Sequence, residues 1–328
     1  MKEISEKEFG NMFYLNIIPI AKQYESKRKK LNFIRNILST LPVIAFLCPF
    51  IGIFSFIIFN VIILDFIFHI EINKIVSDCW VFGGFVFSFI LFAIWILTII
   101  IFGKNQENIK KLQTTIKESV LLRLFECIEV EYITDNSTKK LSKSVLAQLG
   151  VQDAKIDDII KGEYKNLPFT LIDYDYAYER GKKGRSCGLL IATKINKTFT
   201  GDTFICDSYH LSSFWSCKQT FLEDVEFNNL FNVFTNNEID TRYLLTPTFV
   251  ERLKIFKRDR EYNFNIHFTK KTYSESNIFI QIKCYKDFFD IDIGKSLLDK
   301  ENYYNIYRDI TDIMDIVDAL KLDQNIGM

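Results

Sequence analysis

The sequence predicts an α+β protein in two parts. A two-span transmembrane helical hairpin with flanking cytoplasmic helices is followed by a mixed antiparallel-sheet and helix cytoplasmic domain. Three observations predict this. First, residues 41–64 (LPVIAFLCPFIGIFSFIIFNVIIL) and 79–102 (CWVFGGFVFSFILFAIWILTIIIF) carry no charge. At 1.5 Å rise per residue, each is long enough to cross a hydrocarbon layer of roughly 30 Å. Second, basic residues crowd the outer ends of both runs. Third, beyond residue 156 the apolar pattern changes from helical spacing to short runs broken by turn residues.

The boundaries follow. Residues 1–40 are an N-terminal cytoplasmic helix with a basic juxtamembrane segment, 41–64 the first span, 65–78 a short extracytoplasmic loop, and 79–102 the second span. Residues 103–133 are a cytoplasmic stalk helix and 134–328 a cytoplasmic α+β domain. Lys22, Lys27, Arg28, Lys29, Lys30 and Arg35 precede the first run, and Lys104, Lys110, Lys111, Lys117 and Arg123 follow the second. The intervening loop sets Lys74 against Asp65, Glu71 and Asp78. Positive charge stays inside, so both termini are expected in the cytoplasm of a multi-pass inner-membrane protein. The start, MKEISEKEFG, has no early apolar stretch of the kind a cleaved signal needs.

Composition narrows the classes. The formal net charge is zero, against the basic domain that nucleic acid would favour. Seven cysteines are scattered with no CxxC pair, as expected of reduced thiols rather than a disulfide framework.

In chain order, Phe9, Met12, Phe13, Ile17 and Ile20 recur at helical spacing, with Pro19 set to kink or break the helix. The QYESKRKKLNFIRN segment offers Lys27, Arg28, Lys29 and Lys30 as candidates for lipid head groups; its simpler role is to fix topology. Pro42, Pro49 and Gly52 allow bends in the first span. Asn60, Gly83 and Gly84 suit close helix packing rather than a conduction pathway. Ile109, Leu112, Ile116, Val120 and Leu124 form a stripe on the stalk, fit to pack on the N-terminal helix or on another copy of the chain. LSKSVLAQLG reads as a helix ending at Gly150. FTLIDYDYAY and CGLLIATKI read as strands around a tip at Gly181-Lys182-Lys183-Gly184, which lacks the rest of a phosphate loop. LFNVF and TRYLL read as strands, and Thr246-Pro247 as a helix start. Strands are expected near 264–268, 278–285 and 288–293. A last helix buries Ile306, Ile310, Ile313, Val317 and Leu320. Asp309, Asp312, Asp315 and Asp318 lie opposite, as a solvated face rather than a Mg²⁺ site.

FTGDTFICD and VEFNNLFNVFTNNEIDTRYLLTPTFVERL, with the hairpin-plus-domain layout, carry a resemblance. The chain resembles the bacterial membrane-associated domain-of-unknown-function family numbered 3137. The resemblance implies location and architecture; it brings no catalytic residues with it.

No catalytic set emerges from the residues. There is no HExxH, zinc-finger spacing, GxSxG or full Walker loop, and no metal or cofactor is expected. His69, His210 and His267 are the histidines; a Cys206–His210 dyad would need proximity that spacing does not show. Arg242, with Tyr243 and Glu251, is the candidate for a ligand or partner, against a simpler role in an ion pair with Asp240 or Glu251. The resulting reading is a membrane-tethered cytoplasmic interaction or regulatory module. Its expected partners are the lipid bilayer and a protein, or a second copy joined through the stalk helices, with no nucleic acid. Two alternatives stand beside it: an enzyme of unknown class at the inner leaflet, or a small transporter or channel subunit.

Overall fold

The computed structural model describes residues 1, 3–58, 74–133, 136–149, 151, 153–177, 185–194, 199–207, 217–259, 263–273, 276–284 and 288–320. Side chains of residues 40–58 and 74–88, with a few others inside helices and strands, lie outside the description. Pro42, Pro49, Gly52, Asn60, His69, Gly83, Gly84, Gly150, Gly181–Gly184 and His210 therefore fall outside it, wholly or in their side chains. The chain divides into two units. One comprises residues 1–17, 120–292 and 299–328; the other comprises residues 18–119 and 293–298.

The smaller unit is helical. Helix α2 (Ile18–Ile58) packs on α3 (Lys74–Ile116). Ala21, Leu31, Ile109, Leu112 and Ile116 are buried, so this part of the stalk stripe is covered within the chain. Asn105 donates its side-chain amide to the Leu31 carbonyl at 3.3 Å. Among the described residues, no helix is long and apolar enough to cross a membrane. This overturns the transmembrane hairpin, the membrane classification and the multi-pass inner-membrane location. The described side chains give the reason. In α2 they include the charged segment from Lys22 to Arg35. In α3 the apolar residues up to Phe102 give way to Gly103, Lys104 and the buried Asn105. Within that run Phe89, Phe92, Leu97 and Ile100 are exposed. Residues 74–78, expected in a loop, are the first turn of α3.

Among the described residues, the larger unit is a nine-stranded antiparallel sheet with helices. Helix α1 (Glu6–Met12) starts at a Ser5–Glu8 capping box and runs into a π-helical turn, Phe13–Ile17. Pro19, just beyond, lacks the N–H that an α-helix would pair with the Leu15 carbonyl, and the wider turn absorbs the mismatch without a break. A second π-helical turn, Lys117–Leu121, leads to α4 (Leu122–Cys127). There follow β1 (Val130–Tyr132), α5 (Asn136–Gln148), β2 (Lys155–Tyr164), β3 (Leu167–Ala177), β4 (Arg185–Thr193), β5 (Thr203–Cys206) and β6 (Lys218–Thr220). Then come α6 (Val225–Leu230), β7 (Asn232–Thr235), α7 (Glu238–Leu244), α8 (Pro247–Asp259), β8 (Asn263–Tyr273), β9 (Ser276–Cys284) and α9 (Glu301–Leu320). The strand order is β1-β2-β3-β4-β9-β8-β5-β7-β6.

Both faces of the sheet are covered over its centre, which is why its strands read as continuous apolar runs. Val145 and Leu146 of α5 join Ile159, Ile172, Leu190 and Phe279 on one face. On the other, Phe249 and Phe256 of α8 meet Phe268 and Phe264, with ring centroids 6.1 and 5.1 Å apart. The α9 stripe Ile306, Ile310, Ile313, Val317 and Leu320 is buried as expected. Phe9 lies 5.1 Å from Tyr304, so α1 docks on α9.

Two expected strands are not strands. Thr241 to Leu244 of TRYLL lie in α7 and Leu245 caps it, because Asn237 accepts hydrogen bonds from the Ile239 and Asp240 N–H groups and starts a helix there. Residues 288–293 alternate buried and exposed from Phe289 onward but pair with no described strand; the chain turns there, with Phe289 at φ 58°. The β2–β3 hairpin turns on Lys165-Asn166, at φ 49° and 64°.

Candidate interaction surface

The two strings that carried the family resemblance meet in space. Strand β5 pairs with β7, bringing the FTGD segment against NNEIDT. Asp240, in the first turn of α7, gathers the donors. Its Oδ2 accepts from the Thr200 N–H at 2.6 Å, the Gly201 N–H at 2.8 Å, the Thr200 hydroxyl at 3.0 Å and the Asn237 side-chain amide at 2.9 Å. The Asp202 N–H donates to Asn236 Oδ1 at 2.8 Å. Below, the Thr203 and Thr241 hydroxyls are 2.9 Å apart, and Thr235 donates to the Asp202 carbonyl at 2.9 Å. A Cβ on Gly201 would lie 2.5 Å from Asn237 Cβ and 2.6 Å from Asn236 Oδ1, so only glycine fits. Burial pushes the Asp240 carboxyl up, but the N–H groups of Thr200 and Gly201 outweigh it and hold the carboxyl below its ordinary value.

This knot fixes α7 at its start, and α7 presents an apolar face outward. Ile239 is 81% exposed and Tyr243, one turn on, 43%. Arg242 lies beside them, also exposed, and reaches Glu223 Oε1 at 3.4 Å. That pair brings α7 next to the segment holding Phe221 and Val225, which are 63% and 73% exposed. Arg242 thus pairs with Glu223, not with Asp240 or Glu251. Among the candidates named from sequence, Arg242 and Tyr243 belong to one surface.

Glu251 belongs elsewhere. It pairs at 2.7 Å with Lys254, whose buried side chain also reaches Asp224 at 2.8 Å and Glu226 at 3.3 Å. Arg258 also pairs with Glu226. Asp224 caps α6 through the Phe227 N–H, so the cluster ties α6 to α8. These contacts lower the Asp224 and Glu226 carboxyls and raise the Lys254 ammonium.

Of the head-group candidates, Lys27, Lys29 and Lys30 are exposed on α2, while Arg28 is buried against Glu25. The Asp309–Asp318 series holds no group of metal ligands among the described residues, and Asp318 instead accepts from Tyr164 and Lys165. The Cys206 thiol is pushed up to about 12 by burial, aided by Asp207, the reverse of an activated nucleophile. His267 lies stacked on Phe204 at 3.8 Å, and burial pushes its imidazole down. Beside it, Gln281 donates to the Tyr174 hydroxyl at 2.8 Å and accepts from Asn265 at 3.1 Å, a polar line that sequence alone did not reveal.

Residues 187–322 match the model of a family described as protein of unknown function (DUF3137), which supports the resemblance carried by the two strings. The match covers the knot and the α7 surface. It leaves out the residues before 187, which the resemblance had also taken in. No curated protein and no solved structure matches.

Proposed function

We propose that the chain is a protein-interaction module whose contact surface is the exposed face of α7 with the segment from Phe221 to the first residue of α6. The observation that carries this reading is the exposure of Ile239 and Tyr243 on α7, whose start is pinned by Asp240 and Asn237, and of Phe221 and Val225 on the segment that the Arg242–Glu223 pair ties to it. Exposed apolar groups clustered with an arginine are what protein interfaces use as anchors. Pinning the helix beforehand lowers the ordering cost of binding.

The test is a photo-crosslinking residue placed at Ile239 in the full-length chain in cells, followed by affinity capture and mass spectrometry. The expected result is one stoichiometric partner, lost in the double variant Arg242→Glu, Tyr243→Ala and retained when Lys194 is changed to Glu. Recovery of the uncrosslinked chain alone, or of a partner indifferent to the double variant, overturns the reading.

A further inference from the structure

We propose that Cys187 and Cys284 are a thiol-modification site: a reversible cross-strand disulfide, closed by exchange with a low-molecular-weight disulfide such as oxidised glutathione. The register of β4 with β9 sets Cys187 directly opposite Cys284. Directly opposed residues of antiparallel strands have α-carbons about 4.5 or about 5.5 Å apart, according to whether the pair is hydrogen-bonded. Both separations fall in the roughly 4.4–6.8 Å over which a disulfide closes. Opposed residues also share one face of the sheet.

Among the described strands no other cysteine has a cysteine as its register partner; Cys206 stands opposite Asn232 and Asn265. Strands β4 and β9 are neighbours at the centre of the strand order. Cys187 is half-buried there. Nothing in the sequence marks the pair, because the two cysteines are far apart along the chain and belong to no spacing motif.

The exchange balances in two steps. One cysteine thiolate attacks a sulfur of the reagent, forming a mixed disulfide and releasing one small thiolate. The second cysteine gives its proton to solvent, and its thiolate attacks the protein sulfur of the mixed disulfide. The cross-strand bond forms and a second small thiolate leaves. Two protein thiols are oxidised and one small disulfide is reduced to two thiols. The ring so closed contains β5 to β8 and α6 to α8, and with them the knot and the α7 surface. Closing a ring of that size restricts the unfolded chain and stabilises the fold.

The experiment uses the full-length chain. One sample is incubated with oxidised glutathione and one with dithiothreitol; both are quenched with an alkylating reagent, digested and mapped by mass spectrometry. The expected result is a peptide pair joined through Cys187 and Cys284 in the oxidised sample alone, with a rise in Tm of several degrees that dithiothreitol reverses. Cys187→Ser and Cys284→Ser each abolish both effects, and Cys217→Ser abolishes neither. If a serine variant fails to fold, the wild-type peptide map decides alone. Recovery of both cysteines alkylated after the oxidising incubation, or of each carrying its own glutathione, overturns the proposal.

Discussion

Two carboxylates, one in each unit, do the same mechanical task by different physics. Asp240 of α7 holds the irregular segment around Thr200 and Gly201, and Glu25 of α2 holds residues 293–298. The donors to Asp240 are neutral: two backbone N–H groups, a hydroxyl and an amide. Glu25 accepts from the Leu297 N–H at 2.9 Å and the Ser296 hydroxyl at 3.1 Å, but it also takes a two-pronged bond from Arg28 at 2.9 and 2.7 Å. Arg28 in turn donates to the Ile293 and Gly294 carbonyls, each at 3.2 Å. Burial pushes Glu25 up, and Arg28 with the Leu297 N–H brings it back below the ordinary carboxylate value. A carboxylate held by neutral donors keeps partners if one is lost. A buried carboxylate matched to one arginine keeps only its neutral donors, here Leu297 and Ser296, and loses its closest balancing charge.

The difference ranks the expected effects. Arg28→Ala strands the buried Glu25 charge and is expected to cost about 3–5 kcal/mol. Urea denaturation measures the loss, and hydrogen exchange should show residues 293–298 losing protection first. The double change Arg28→Met, Glu25→Leu should recover much of that loss, since it removes both charges together. A double variant as damaged as the single would break the comparison. Gly201→Ala comes next. Its Cβ meets Asn237 Cβ and Asn236 Oδ1, and the overpacking is expected to cost about 1–3 kcal/mol by the same denaturation. Asp240→Asn keeps the shape but loses the charge that strengthens these bonds, so about 1–2 kcal/mol is expected. The Asp240 carboxyl is lowered in the fold, so its contribution is present above its unfolded value of about 3.9 and is lost as pH falls through the lower folded value. In Asp240→Asn that acid loss should be absent.

The sequence carried the parts of the fold that depend on local pattern. The α9 stripe, the Thr246-Pro247 helix start and the β3 and β9 strands follow from spacing and capping chemistry; Thr246 does accept from the Phe249 N–H, at 3.4 Å. It misled where a local pattern has two readings. RYLL is as good a strand as a helix until Asn237 is seen to cap it, and the alternation from Phe289 to Ile293 mimics a strand without a partner. The apolar runs at 41–64 and 79–102 read as spans, but no helix among the described residues is long and apolar enough to cross a membrane. For the site, Arg242 and Tyr243 were visible as unusual polar and aromatic groups in a marked string. Ile239, Phe221 and Val225 were not, because an apolar residue in sequence is presumed buried, and only the fold shows these three outside. The knot was half legible: FTGD and NNEIDT each stood out, and their meeting depends on the pairing of β5 with β7.

The smallest effect expected at neutral pH separates stacking from charge around His267. His267 sits against Phe204, with Phe279 beyond and Asp202 Oδ1 3.8 Å from its Nε2. Burial lowers the imidazole and Asp202 only partly offsets it. The folded state therefore binds a proton less readily than the unfolded chain, whose histidine titrates near 6.5. Stability contributed by the neutral ring is fully present above that value. It drains away as pH falls through 6.5 toward the lower folded value, with a slope of at most about 1.4 kcal/mol per pH unit for one group. His267→Phe keeps the ring stack and removes the titration. Urea midpoints of wild type and variant should thus run together near pH 8 and separate on acidification, the wild type falling faster between about pH 6.5 and pH 5. Parallel curves over that range would mean that the Asp202 carboxylate compensates the burial in full, and that the His267 ring contributes only through its stacking on Phe204.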